Sequence, residues 1–397
     1  MLIQELTAHV TEKILPFWEK LIDRERGGFY GFVDENLVID PRAHKGCILN
    51  SRILWAFSTA ARVLEDASYL RYADQALDFM ARFEDTARGG VYWSVTAEGQ
   101  PLDTTKHTYC QAFALYGLAA YLRAADKNTP RWQTARARAA RLFRVIEGPC
   151  SDAGGLGEAF NADFTPAGNE RLSDNARLEA KGETAQRTMN TLLHVLEAYA
   201  ELQRACPDEA VRAAGKRCLE TALKKVYSPE KARLEVFFDK DYRSLLDMQS
   251  FGHDIEASWL MWDAAETLLS PEELPPYRAM CLSLAKAVCE RALTPHGLNN
   301  ERVEDEVDDT CVWWVQAETV LGCENAYALT GDASYHRNAE AVWAVIRRTL
   351  VDERPHGEWH AYARADGTVL DRPVVDDWKC PYHNGRMCLR LIEKAKG

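Results

Sequence analysis

GGVYWSV, residues 89–95, separates two helical patterns, 68–84 before it and 107–125 after it. Two glycines followed by β-branched and aromatic residues mark a turn entering a strand too short to build a sheet alone. The same kind of segment recurs as GGFYGFVD from Gly27, GGLGEAFNADF from Gly154, RLEVFFDKDY from Arg233, GLNNER from Gly297 and GEWHAYARADG from Gly357. Six starts lie roughly 60 to 80 residues apart, which is an internal repeat of helix, short hairpin and helix.

Apolar periodicity places helices near 3–22, 50–65, 68–84, 107–125, 131–147, 188–204, 208–226, 252–269, 272–292, 310–329, 333–350 and 381–395. The chain opens on a helix before the first hairpin and closes on one after the sixth. Six such pairs stack as an open solenoid or close into a double-layered ring. A solenoid needs polar terminal caps, yet the last helix begins among tryptophan, cysteine and histidine. The reading is therefore all-α, a closed (α/α)6 barrel of six inner and six outer helices with short hairpins between them. No linker or break in composition interrupts it, so a single domain over 1–397 is expected. Helices that follow hairpins form the inner layer, and their first turns converge on one end, where a pocket opens.

Of 397 residues, 47% are hydrophobic, enough for a large core, and no apolar run reaches the roughly 20 residues that span a membrane. The start, MLIQELTAHVTEKILPFW, has a helical period and lacks a basic segment with a cleavage site. Eleven cysteines without a CxxC pair read as thiols of a reducing compartment. A cytoplasmic protein is expected. The net charge of −12 argues against nucleic acid and anionic membranes as partners. One polar stretch, 165–187, is long for a connection and lies beside the expected pocket, so it reads as a mobile lid.

The convergent first turns name candidate residues. SFGHDIEASWL, residues 250–260, reads as a helix start with Ser250 or Gly252 as its cap, and places His253 and Glu256 on one face. The helix end disfavours an imidazolium there and the carboxylate favours it, a balance expected to hold His253 near neutrality. Other inner helices offer Arg52, His107, Tyr109, Asn190, His194, Trp313, Trp314 and His383; Glu301 and Trp378 lie just upstream of two of them. Arg52, in an apolar context, needs a partner, either Glu256 or a ligand oxygen. His356-x3-His360 has zinc-like spacing but no matched third ligand, so no metal site is expected. No phosphate loop or nucleophile elbow is present.

At these residues the chain resembles the N-acylglucosamine 2-epimerase superfamily, and within it the cellobiose 2-epimerases. ILNSRILWAFS (48–58), GGVYWSV (89–95), KHTYCQAFALYGL (106–118), TMNTLLHVLEAYAEL (188–202), SFGHDIEASWL (250–260), LNNER (298–302), VWWVQAE (312–318) and WKCPYHNGRMC (378–388) carry the likeness in order. The resemblance implies an (α/α)6 barrel, a cofactor-independent isomerase, a small-molecule sugar substrate, and a monomer or weak homodimer. It assigns acid/base roles to His253 and His383 and a third essential role to His194. Sugar contacts fall on Arg52, Tyr109, Asn190 and Glu256, and stacking on Trp314 and Trp378. One departure is Gln186, where an Asp is common two residues before the Thr-Met-Asn motif, and it leaves disaccharide against monosaccharide open.

The implied reaction inverts C2 of the reducing-end glucose of a β-1,4-linked disaccharide, cellobiose to glucosyl-mannose and lactose to epilactose. One imidazole takes the C2 proton of the opened sugar, and the second returns a proton to the other face of a cis-enediolate. The alternatives are a D-glucose/D-mannose 2-epimerase or an aldose–ketose (mannose) isomerase in the same pocket. A glycosidase would need two suitably spaced carboxylates, and a non-catalytic helical-repeat binder would not need the histidines.

Overall fold

The computed structural model describes residues 2–172 and 176–396, and twelve helices in it account for every helical pattern. The outer helix α1 runs over Leu2–His9 and continues through a π-helical turn, Val10–Ile14, and Leu15–Glu19. The inner and outer helices then alternate: α2 (Cys47–Val63), α3 (Leu70–Met80), α4 (Thr108–Ala124), α5 (Pro130–Glu147), α6 (Met189–Ala205) and α7 (Glu209–Thr221). The second half repeats this with α8 (Phe251–Leu268), α9 (Pro275–Arg291), α10 (Trp313–Thr330), α11 (Ala333–Val345) and α12 (His383–Lys396).

The even-numbered helices form the inner ring. Each packs on the next, from α2 on α4 round to α10 on α12, and α12 returns to α2. Each later outer helix lies against the inner helix before it, and α1 lies against α12, so both layers close. This is the (α/α)6 barrel that the repeat predicts. The two layers differ in pattern for a physical reason. Sixteen of the seventeen residues of α2 are buried, because an inner helix meets protein on every side. In α3 the buried residues Tyr72, Ala73, Ala76, Leu77, Phe79 and Met80 lie on one side, and the opposite face meets water.

The hairpins set where each inner helix begins. In the first repeat, Asp23 accepts the backbone N–H groups of Glu25 and Arg26 and the Nζ of Lys45, two residues before α2. In the second, Asp85 accepts from Ala87, Arg88 and Lys106, two residues before α4. The glycines of both turns have positive φ, and a Cβ on Gly28 would lie 2.5 Å from the Phe79 ring. The sheets these hairpins form have two or three strands each.

Three differences from the sequence reading concern boundaries. The helix expected from residue 50 starts at Cys47, so Arg52 lies in its second turn. Pro381 lies outside α12, and His383 is its first residue. The stretch 165–187 contains a short helix, Ala176–Ala180. Around it, Arg171 pairs with Asp103 of the second hairpin, and Arg177 with Glu304 and Glu306 of the fifth. Residues 173–175 of the expected lid lie outside the described residues. No helix among the described residues is long and apolar enough to cross a membrane.

Candidate active site

Ser250 occupies the N-cap position of α8, yet its hydroxyl caps nothing; it lies 2.8 Å from Nδ1 of His253. Gly252 follows because Trp314 and Val315 crowd it, and a Cβ there would come within 2.5 Å of the indole. That approach brings the Trp314 ring centroid to 4.8 Å from His253 and 5.4 Å from His383. The expected balance at His253 is not found. Burial, with a smaller contribution from His194, pushes its pKa down to about 3, and the carboxylate of Glu256 is engaged elsewhere.

His383 opens α12, with Nδ1 2.7 Å from a carboxylate oxygen of Glu318 on α10. Trp313 packs edge-on at 5.4 Å and Tyr382 at 4.6 Å. Burial and the nearby Arg386 and Arg52 guanidinium groups hold His383 well below the usual imidazole range. His194, one turn into α6, places Nδ1 3.0 Å from Glu197 and its ring against Tyr109 and Phe113. All three imidazoles thus use Nδ1 on the protein scaffold. None of their Nε2 atoms has a hydrogen-bond partner among the described residues.

Behind them, fully buried Arg386 bonds three carboxylates, Glu197 at 2.5 Å, Glu318 at 2.6 Å and Glu256. Tyr382 joins Glu197 and Arg386. Desolvation would raise Glu197, but the Arg386 and His194 charges outweigh it and hold it at about 2. Glu256 is pushed up to about 7 by burial and by Glu318, and burial also raises Glu318. One guanidinium cannot neutralise three buried acids, and Glu256, wholly buried beside Glu318, is left near neutrality. Ligand atoms of Glu256, Glu318 and His383 lie within 4.8 Å of one another, as a metal site would need, but both carboxylates already bond Arg386.

Arg52 is not paired with Glu256. Its Nη2 donates to Tyr109 at 3.1 Å and its Nη1 to the Trp378 carbonyl at 3.3 Å, while Nε has no partner. The guanidinium lies over the rings of Phe113 and Tyr382. Trp378 is 40% exposed and packs against Tyr109 and Trp93, which makes an aromatic rim. Asn190 has a buried Oδ1 without a partner. Trp313 is buried beneath the Lys379 ammonium. Glu301 sits beside Ser250 in strand register and bonds none of the three histidines among the described residues. Gln186 accepts from the Lys240 backbone at 3.0 Å. His107 packs on Trp93, and burial lowers it to about 4. Glu197, Glu318, Tyr382 and Arg386 were not foreseen. Two of them stand three residues beyond a candidate histidine, the spacing that also joins His253 to Glu256.

These elements coincide with what comparison finds. A family model described as N-acylglucosamine 2-epimerase (GlcNAc 2-epimerase) matches residues 27–384. A cellobiose 2-epimerase of Eubacterium cellulosolvens is 43% identical over 97% of both chains, and one of Ruminococcus albus 42% identical over 100% of this chain and 99% of its own. The crystal structure of a sugar epimerase from a ruminal bacterium superposes with a TM-score of 0.94 at 42% identity, covering 99% of each chain. With the family model matching most of the chain and the relatives matching nearly all of it, this chain belongs to the N-acylglucosamine 2-epimerase family and is an isomerase of the carbohydrate epimerase class.

Proposed function

We propose that the protein inverts C2 of the reducing-end glucose of a β-1,4-linked disaccharide, converting cellobiose to glucosyl-mannose and lactose to epilactose. The observation that carries this reading is that the His253 and His383 rings both pack against Trp314, at 4.8 and 5.4 Å, each with Nε2 unengaged among the described residues. Two imidazoles beside one sugar-sized aromatic surface suit an inversion, in which one takes a proton from C2 and the other delivers a proton to the opposite face of that carbon. Burial depresses both, so at neutral pH each is a neutral imidazole that can accept the C2 proton, and the one that delivers first takes up a proton from water beside the anionic enediolate.

The remaining groups have matching uses. Opening the hemiacetal exposes the C1 carbonyl that acidifies C2–H, and His194, backed by ionised Glu197, suits proton transfer or a hydrogen bond at O1. Arg52, pinned between Tyr109 and the Trp378 carbonyl, supplies positive charge near the developing oxyanion of a cis-enediolate. Trp378, at the aromatic rim, offers a face to a second ring beyond the one that reacts. The Gln186 amide is spent on the Lys240 backbone, so its departure from the family pattern supports no change of substrate.

The test is incubation with cellobiose in D2O, followed by chromatography and NMR. Glucosyl-mannose carrying deuterium at C2 is the expected product. A ketose disaccharide would identify an aldose–ketose isomerase, free glucose a glycosidase, and unchanged cellobiose with turnover of mannose a monosaccharide enzyme.

A further inference from the structure

Away from the site, one pair of side chains has chemistry that the proposed reaction does not use. Cys289 lies in the last turn of α9 and Cys323 in the middle of α10, and their sulfurs are 3.7 Å apart. The other cysteines do not share this setting: of the eleven, only Cys206 and Cys289 are half-buried, and Cys323 is wholly buried. An outer-layer thiol within reach of the surface therefore touches an inner-layer thiol shielded from it.

We infer that Cys289 and Cys323 form an oxidative modification site, closing a disulfide between the outer and inner layers when the protein meets a hydroperoxide. Sulfurs already in contact need to close from 3.7 Å to about 2.05 Å. Cys289 can supply that movement, because the final turn of a helix is held by fewer backbone hydrogen bonds than its middle.

The order of attack follows from the environment. The contact with Cys323 holds the Cys289 thiol below its ordinary range, and the Asn338 side chain acts in the same direction against the effect of burial. The same contact, with burial, pushes Cys323 well above the ordinary range. Cys289 is thus the more readily ionised partner and the one a peroxide can reach. Its thiolate attacks one peroxide oxygen. The O–O bond breaks, an S–O bond forms, and the alcohol (water, for hydrogen peroxide) leaves with the proton Cys289 gave up. The Cys323 sulfur then attacks the Cys289 sulfenic acid. The S–S bond forms, the S–O bond breaks, and water departs with the Cys323 proton. Two thiols lose two electrons in total and one peroxide gains them. The crosslink fastens the helix that carries Trp313, Trp314 and Glu318 to the outer layer.

The test treats the native full-length protein with hydrogen peroxide, blocks remaining thiols with iodoacetamide, and maps peptides by mass spectrometry. The expected result is a Cys289–Cys323 peptide pair two hydrogens lighter than its separate halves, split by dithiothreitol. Cys289→Ser should abolish the pair and leave Cys323 alkylatable only after unfolding. Should Cys323→Ser misfold, Cys323→Ala serves as the second variant, and there Cys289 should be trapped as a sulfenic acid by dimedone. Recovery of both cysteines as alkylated thiols after peroxide would overturn the inference. So would sulfinic acid at Cys289 with no linked peptide in the wild type.

Discussion

His383 has a carboxylate behind it and His253 has a hydroxyl: Glu318 stands 2.7 Å from one Nδ1, Ser250 2.8 Å from the other. A carboxylate stabilises the imidazolium that forms when Nε2 takes a proton, and a hydroxyl does so far less. The two histidines are therefore unequal partners in the proposed reaction. Burial and the Arg386 and Arg52 charges oppose protonation of His383, and the Glu318 carboxylate at its Nδ1 is the group that offsets them.

This asymmetry is measurable. Glu318→Gln keeps the shape and a hydrogen-bond partner for His383 but removes the charge, so kcat should fall by roughly 10²-fold or more, with KM for cellobiose little changed. Ser250→Ala should cost far less, under about tenfold. Equal losses in the two variants, read by steady-state kinetics in both directions of the reaction, would remove the distinction drawn between the histidines.

Replacing either histidine by Asn removes proton transfer and leaves a polar side chain. Turnover should drop about 10²–10⁴-fold in His253→Asn and His383→Asn alike. Cellobiose should still quench tryptophan fluorescence, because Arg52, Trp314 and Trp378 remain. Near-wild-type turnover in His383→Asn would rule out the two-histidine mechanism whatever the solvent-exchange result.

The barrel was legible because its period is long and its punctuation strong. Each inner helix follows a short hairpin rich in glycine or in aromatic and β-branched residues and lacks a polar face, and each outer helix shows a stripe. The π-helical turns Val10–Ile14, Ala222–Val226 and Ile346–Leu350 were not legible, since one extra residue per turn scarcely alters an apolar stripe. In the site, the histidines stood out by converging on the mouth. Their partners did not, because Arg386 reaches Glu197, Glu256 and Glu318 across 189, 130 and 68 residues, and nothing local records which helices face one another. The same blindness produced the error at His253. Local spacing paired it with Glu256, and the inner ring had already given that acid to Arg386.

Folding should feel His253 through pH. In the unfolded chain its imidazole takes up a proton below about pH 6.5, and in the folded chain not until about 3. The unfolded state thus binds more protons in that window, and the stability present above pH 6.5 is lost as pH falls. His253→Asn lacks this linkage. Its stability, from urea unfolding, should decline less steeply between pH 6 and 4, by up to about 1.4 kcal/mol per pH unit. Parallel wild-type and variant curves would show that His253 is not held neutral.

Lys106 offers a test of how the hairpins are tied down. Its ammonium is buried, bonds Asp85 at 2.8 Å and the Ala162 carbonyl at 2.7 Å, and lies over the Phe164 ring. Asp85 in turn accepts the Ala87 and Arg88 N–H groups, so one ion pair links the second turn, the third hairpin and the start of α4. Burial alone would raise Asp85, but Lys106 and these N–H groups hold it below the usual carboxylate range. Lys106→Met keeps the apolar stem and strands that carboxylate, a loss expected to cost about 3–5 kcal/mol. Below the ordinary carboxylate pKa the stranded group can be protonated, so the gap from wild type should narrow as pH falls from 6 to 3. Adding Asp85→Leu to Lys106→Met should recover part of the loss, because an apolar pair is tolerated where a lone buried charge is not. Urea unfolding of the three variants decides it. A loss below about 1 kcal/mol in Lys106→Met would mean that the backbone of the turn, and not the ion pair, fixes where α4 begins.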